Sequence, residues 1–173
     1  SETDVKDLKP LAGCPELFRL DCNRCERIET LAPLKPDTNP KLTHLEAACP
    51  ELIEIGDLGR PSLRVVDLTG CTDLKSIDGL EGAVELRILN LRDCSSVKNL
   101  SVLYDIPFLK TLNIVGCSKI RRVPKELSAK KKLTILGDPQ KDPTDEMSYR
   151  ELQKALPTSA PRLLEVCDMP NLY

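Results

Sequence analysis

Cysteine and histidine are the residues of this sequence best suited to chemistry, and their spacing sets the first question. Cys22 and Cys25 form a C-x-x-C pair, a spacing found in zinc ligands and in redox-active dithiols. A zinc site needs two further ligands, but there is no second C-x-x-C pair and His44 is the single histidine. A Cys–His pair built on His44 lacks an orienting partner that the sequence can supply, and no Gly-rich phosphate loop is present. The sequence therefore predicts no catalytic residue, no metal and no cofactor.

A second regularity accounts for five of the eight cysteines. Leu63, Leu86 and Leu109 open three copies of one unit, 23 residues apart, each reading L-x-x-L/V-x-L/I-x-x-C. Less regular copies open at Leu17 and Leu42, and Leu133 with Leu136 begins another. The cysteines at the last position of the pattern are Cys25, Cys49, Cys71, Cys94 and Cys117. A side chain at that position turns inward after a strand, so we expect small, buried thiols with a weak donor.

A repeat of about 20–29 residues with this pattern is typical of leucine-rich repeats. One unit cannot bury its own apolar edge, so units stack into an α/β solenoid with a parallel concave sheet and an irregular convex side, here of about 5–7 coils. LRVVDLTGCTDLKSI resembles the cysteine-bearing repeats of plant intracellular immune receptors, and NLSVLYDIPFL resembles those of kinetoplastid leucine-rich repeat proteins. Both also resemble the short-repeat regulatory subunit of protein phosphatase 1. The resemblance covers about residues 5 to 137 and implies the fold but no particular partner.

The pattern divides the chain into a repeat array at 1–137 and a C-terminal cap at 138–173. The array is expected to start midway through a repeat, either inside a longer repeat protein or behind a short degenerate cap. In the C-terminal part, Thr144 is a candidate helix N-cap and Pro157 a stop, which predicts one helix at about 144–156. A short apolar segment then predicts a last strand at about 163–167, paired at the end of the solenoid.

Composition and charge exclude some classes of function. The formal net charge of −2 gives no general basic field for nucleic acid or anionic membrane. No stretch approaches the roughly 18 uninterrupted apolar residues of a membrane span, and the acidic opening SETDVKDLKP is not a signal peptide. Thiols stacked along a solenoid have parallel rather than converging Cβ vectors, so disulfides are not expected. We therefore expect an intracellular, reducing compartment, either cytoplasmic or nuclear.

The variable positions of each strand unit form three columns on the concave face. The first column is Phe18, Thr43, Arg64, Arg87, Lys110 and Thr134; the second is Arg19, His44, Val65, Ile88, Thr111 and Ile135; the third is Asp21, Glu46, Asp67, Asn90, Asn113 and Gly137. The predicted partner-binding residues are Arg64, Val65, Asp67, Arg87, Ile88, Asn90, Lys110 and Asn113. A basic row, an apolar strip and an acidic-to-amide row would suit an acidic or partly apolar protein segment. The alternative is a solvated basic row offset by nearby carboxylates.

A second basic cluster includes Arg121, Arg122 and Lys125. It is either a solvated face or a contact for phosphate or RNA, although base-stacking aromatic residues are absent nearby. The sequence favours a non-enzymatic protein–protein interaction module or a scaffold of a multisubunit assembly. The alternative is a component of a ribonucleoprotein or RNA-processing complex.

Overall fold

The computed structural model describes residues 5–23 and 25–139, together with the backbone of residues 163–165. Its seven strands are β1 (Arg19–Asp21), β2 (His44–Glu46), β3 (Val65–Asp67), β4 (Ile88–Asn90), β5 (Thr111–Asn113), β6 (Thr134–Leu136) and β7 (Leu163–Glu165). They form one parallel sheet in which β1 to β6 lie side by side in chain order. Each of these six strands belongs to one coil. The predicted leucine-rich repeat solenoid, with its parallel sheet and about 5–7 coils, is confirmed.

Neighbouring strands pair in register, and this stacks equivalent side chains into a continuous core. The central rung is Leu20, Leu45, Val66, Leu89 and Leu112, none of which has exposed surface. Two residues further along each strand unit, Leu68, Leu91 and Ile114 form a second buried rung. Strands in a sheet lie about 4.8 Å apart, so each coil covers the apolar edge of the one before it.

The convex side consists of turns and very short helices. The 3₁₀ helices are Lys9–Gly13, Asp78–Leu80 and Ser101–Asp105, and the α-helix α1 is Lys125–Ser128. The first and the third of the 3₁₀ helices each insert one leucine, Leu11 and Leu103, into the core. No helix in the described part of the chain has the length and apolar character needed to cross a bilayer.

A left-handed residue precedes the thiol in each of the three regular coils. Gly70, Asp93 and Gly116 have φ angles of +76°, +60° and +78°. Glycine adopts this conformation without steric cost, and Asp is among the other residues that tolerate it best. At Gly116 an added Cβ atom would also crowd the side chain and the backbone of Asp93 in the preceding coil. This tight turn directs the following cysteine into the core.

The sequence assignment of the last coil is wrong by one residue. Counting from Leu133 placed Thr134 in the first column and Ile135 in the second, but Thr134 pairs with Thr111 of the second column and Ile135 with Leu112 of the central rung. The cause is backbone pairing: the Ile114 N–H donates to the carbonyl of Leu136, which places Leu136, not Gly137, in the third column. The 23-residue spacing from Leu112 is therefore kept, and the opening leucine arrives one residue late.

Strand β7 lies inside the range where the sequence predicted a last strand, but it does not extend the sheet beyond β6. It pairs in parallel with β1, at the opposite end of the array. The sequence around it, P-x-x-L-x-V from Pro161, matches the strand unit of the repeats. The helix predicted at about 144–156 lies outside the described residues.

Two buried polar side chains compensate for unequal coil lengths near the N-terminal end. The step from Leu20 to Leu45 takes 25 residues, whereas the next step, to Val66, takes 21. The Asn39 amide donates to the carbonyls of Leu11 and Cys14 at 2.8 and 2.9 Å. The guanidinium of Arg60, which is 1% exposed, donates to the carbonyls of Asn39, Leu34 and Leu58. These side chains satisfy loop carbonyls that no neighbouring strand can reach.

Candidate functional site

The column thiols have a structural role in the described coils. Each Sγ donates to a backbone carbonyl of the preceding coil: Cys71 to Ala47 at 3.0 Å, Cys94 to Leu68 at 3.0 Å and Cys117 to Leu91 at 2.9 Å. Burial raises the pKa of Cys71 to about 12 and that of Cys117 to about 11. Because only the thiolate is a good nucleophile, these groups are chemically inert at neutral pH. They form a ladder of thiol–carbonyl hydrogen bonds along the solenoid.

The C-x-x-C pair belongs to the same core. Cys22 and Cys25 are both fully buried, and Cys22 Sγ donates to the carbonyl of Glu46 at 3.4 Å. A hydrogen bond with the Cys49 thiol, together with burial, raises the pKa of Cys22. Within residues 5–23 and 25–139, no three His, Cys, Asp or Glu side chains converge as metal ligands. Both cysteines thus serve packing, as the repeat register predicts.

His44 is a neutral side chain within the concave sheet and is only 5% exposed. His44 Nδ1 lies 2.7 Å from Thr43 Oγ1, which also lies 3.0 Å from the carbonyl oxygen of Phe18. His44 Nε2 is buried without a hydrogen-bond partner among the described residues. Burial lowers the pKa of His44, and the positive charges of Arg19 and Arg64 lower it further. A ring in this position cannot act as a base toward a substrate.

The third column builds the turns that end the strands. Each side-chain Oδ1 accepts from the backbone N–H two residues further on: Asp21 from Asn23, Asp67 from Thr69, Asn90 from Arg92 and Asn113 from Val115, at 2.9, 2.9, 3.2 and 3.1 Å. The Asn90 amide also donates to Asp67 Oδ2 at 3.1 Å. Asn90 and Asn113 are buried. These are Asx turns, so this column shapes the fold and offers little surface to a partner.

The first column supplies the accessible part of the predicted surface. Arg64, Arg87 and Lys110 are exposed and lie at equivalent positions, since the Arg87 N–H donates to the Arg64 carbonyl and the Lys110 N–H to that of Arg87. Arg87 has a loose ion pair with Glu85 at 3.7 Å. Among residues 5–23 and 25–139, Arg64 and Lys110 have no carboxylate partner. We call these three residues the basic row.

The second column contributes less surface than the sequence suggested. Val65 is buried and Ile88 half-buried, so the apolar strip next to the basic row is largely covered by the sheet itself. Of the eight predicted partner-binding residues, the structure brings Arg64, Arg87 and Lys110 together on an open surface, with the half-buried Asp67 and Ile88 beside them.

An apolar feature that the sequence reasoning missed lies at the rim of the solenoid, just before the strands. Phe108 is 53% exposed and Val84 is 41% exposed. Phe108 precedes Lys110 by two residues, as Glu85 precedes Arg87, so Phe108 and Glu85 occupy the same position in adjacent coils. The sequence could have indicated this feature, because Phe108 is one of the few aromatic residues in a chain with 3% aromatic residues and lies at a rim position.

The second basic cluster is accessible. Arg121, Arg122 and Lys125 are exposed, and none of them pairs with a carboxylate within the described residues. They lie where the fifth coil leaves the sheet and enters α1. These residues lie after β5, whereas the basic row lies immediately before β3, β4 and β5. The two clusters are therefore separate candidate surfaces.

Several solved structures contain chains similar to this one. An internalin from Listeria monocytogenes is 18% identical over 76% of this chain and 51% of its own, with a TM-score of 0.40. The chain thus spans about half the length of that internalin. No protein-family model matches the sequence, and no curated protein does. The leucine-rich repeat solenoid fold of this chain is carried by its own stacked coils, with their repeated buried leucines and thiols.

Proposed function

We propose that this chain is a non-enzymatic protein-interaction module, acting alone or as a scaffold in a larger assembly. The observation that carries the proposal is the basic row: Arg64, Arg87 and Lys110 immediately precede adjacent strands, and within the described residues neither Arg64 nor Lys110 pairs with a carboxylate. Cations held at strand spacing match carboxylates on an extended partner segment. The occupant we propose is an acidic, partly apolar segment of another protein.

The candidate catalytic groups support this choice. Cys22 and Cys25, which the sequence analysis considered as a zinc or redox pair, are fully buried, and the single histidine has its Nε2 buried within the sheet. A nucleophile and its base must reach the substrate, and these groups cannot do so in the folded chain. An interaction role uses only the surface that is accessible.

The proposal is tested by fluorescence anisotropy with labelled poly-glutamate as the acidic probe. Arg87→Glu combined with Lys110→Glu should weaken binding by about tenfold or more, since each tenfold corresponds to about 1.4 kcal/mol. The melting temperature should stay nearly unchanged, because both side chains are exposed. Unchanged binding by this double variant would refute the basic row as the site.

A matched control is available on the convex side. Lys75 and Lys98 are exposed lysines at equivalent positions, 23 residues apart, in two adjacent coils. Lys75→Glu with Lys98→Glu reverses the same number of charges as the test variant but leaves the basic row intact. The proposal requires that this control bind poly-glutamate close to the wild-type level, whereas an equal loss would indicate only a net-charge effect.

RNA binding is the second candidate, favoured by Arg121, Arg122 and Lys125, which are exposed and pair with no carboxylate in the part of the chain that the structure describes. Phosphate contacts release counterions, so RNA affinity should fall steeply with salt. Arg121→Ala with Arg122→Ala should then flatten the salt dependence of binding to labelled single-stranded RNA. If the wild type shows no salt-dependent RNA binding, this second candidate is wrong.

A further inference from the structure

The rim of the solenoid differs between its two ends. In the first two coils the rim residues pair with each other: Lys41 Nζ lies 2.7 Å from Glu16 Oε1. At the equivalent position of the fifth coil stands Phe108, and Val84 lies at the rim of the adjacent fourth coil. Both side chains are exposed, so this part of the rim presents an apolar patch where the N-terminal end has an ion pair.

This patch lies in the basic half of the molecule. Residues 85–139 contain 11 Lys and Arg against 5 Asp and Glu, whereas residues 5–84 contain 10 against 14, giving +6 and −4. Around the patch, Lys110 follows Phe108 by two residues and Lys131 follows it by one repeat of 23. The overall charge of −2 conceals this separation, which concentrates positive potential where the apolar patch is exposed.

We propose that the docking surface extends from the basic row over this rim, and that the partner segment carries an aromatic or large aliphatic side chain among its acidic residues. This inference rests on the proposed function and adds the partner's apolar anchor. Phe108 and Val84 form the apolar contact, and Arg87 and Lys110 flank it with charge. Aromatic side chains are enriched among the residues that dominate protein–protein binding energy.

The surroundings of Phe108 favour a protein segment over a nucleic acid. Val84 gives the patch an aliphatic half, which suits a packed side chain better than a stacked base. RNA, or a second copy of this chain, is therefore an outcome that the test must separate from peptide binding.

The test is selection from a random-sequence peptide display library on the immobilised wild-type chain. The expected enriched sequences are acidic and contain one aromatic or large aliphatic residue. On the Phe108→Ser variant the acidic preference should persist while the apolar preference disappears, and an enriched synthetic peptide should bind this variant about tenfold more weakly than it binds the wild type. Ile53→Ser is the matched control, because Ile53 is also an exposed apolar residue, 42% exposed, in a different coil.

The possible results separate this inference from the proposed function. Acidic sequences without any apolar preference, or equal enrichment on Phe108→Ser, would overturn the anchor and leave the basic row standing. Enrichment that is not acidic, or no enrichment, would overturn both. Displacement of an enriched peptide by single-stranded RNA, or self-association of the wild type lost in Phe108→Ser by analytical ultracentrifugation, would assign the patch to those occupants instead.

Discussion

Replacing Arg60 with methionine tests how the unequal first coils are held together. Arg60 has no carboxylate partner among the described residues, and its guanidinium is compensated by the carbonyls of Asn39, Leu34 and Leu58. Burial lowers the pKa of this side chain, so the charge has a desolvation cost that these carbonyls must offset. Methionine keeps most of the apolar stem and removes every donor.

The magnitude follows from the carbonyls of Leu34 and Leu58, which lose their donor, whereas the Asn39 carbonyl still accepts from the Leu42 N–H at 3.2 Å. Leaving a buried polar group unpaired costs about 1–3 kcal/mol, and the variant is relieved of part of the cost of burying a charge. We expect a net loss of about 3 kcal/mol in the free energy of unfolding, which is a large fraction of the typical 5–15 kcal/mol of a domain. Because solenoid coils contact only their neighbours, the loss should be concentrated in the first two coils.

Urea unfolding followed by circular dichroism measures the loss, and hydrogen exchange locates it. Arg64→Met is the matched control, since it is the same substitution four residues away on an exposed side chain, where changes usually stay within about 0.5 kcal/mol. A change at Arg60 no larger than that at Arg64 would refute the view that the guanidinium compensates for the coil mismatch. Exchange that is uniform across all coils would refute the localisation.

Two further predictions concern the thiols and the histidine. Cys94 should resist iodoacetamide in the native chain, because burial raises its pKa far above neutral, and the half-buried Cys14 should react before it. Mass spectrometry of partly labelled protein measures the order of labelling. Early labelling of Cys94 would contradict the buried ladder of thiols. For His44 the pKa is lowered in the folded state, so the unfolded chain binds the proton more readily and stability falls as pH drops below about 6.5. His44→Gln should remove most of the pH dependence of the unfolding free energy between about pH 7 and 5.5, because His44 is the single histidine of the chain. An unchanged pH dependence would contradict the assignment of this effect to His44.

The rungs of the core were predictable because the sequence repeats them. Leu68, Leu91 and Ile114 are 23 residues apart and apolar, and a buried stack is the arrangement that hides all three edges. The last coil was not predictable from its opening leucine, because hydrogen bonding of the strand backbone sets the register, and this follows Ile135 rather than Leu133. A repeat spacing of 23 from Leu112 was the better guide than the residue type at the start of the unit.

The candidate surface was only half predictable, for a related reason. The repeat pattern predicts that every variable position of the strand unit is accessible to a partner. In the structure, however, the Oδ1 atoms of Asn90 and Asn113 accept the hydrogen bonds of Asx turns. The residue types could have predicted these turns, since Asp and Asn side chains often accept a hydrogen bond from the backbone N–H two residues further on. Phe108 was missed because it lies outside the strand unit, at the rim, where periodicity marks no face.

The hydrogen bonds at the ends of the strands influence how the basic row can bind a partner. Thiol–carbonyl bonds and Asx turns occur together in the three regular coils, and together they fix the spacing of neighbouring strands at about 4.8 Å. The backbone beneath Arg64, Arg87 and Lys110 is therefore rigid, and docking an extended segment orders only side chains, which lowers the entropy cost of binding. Like charges at this spacing are unfavourable in the free protein, and elsewhere the chain avoids such cost by pairing, as Lys41 does with Glu16. Among the described residues only Arg87 of the basic row has a carboxylate partner, so the repulsion within the row is relieved by carboxylates supplied from outside.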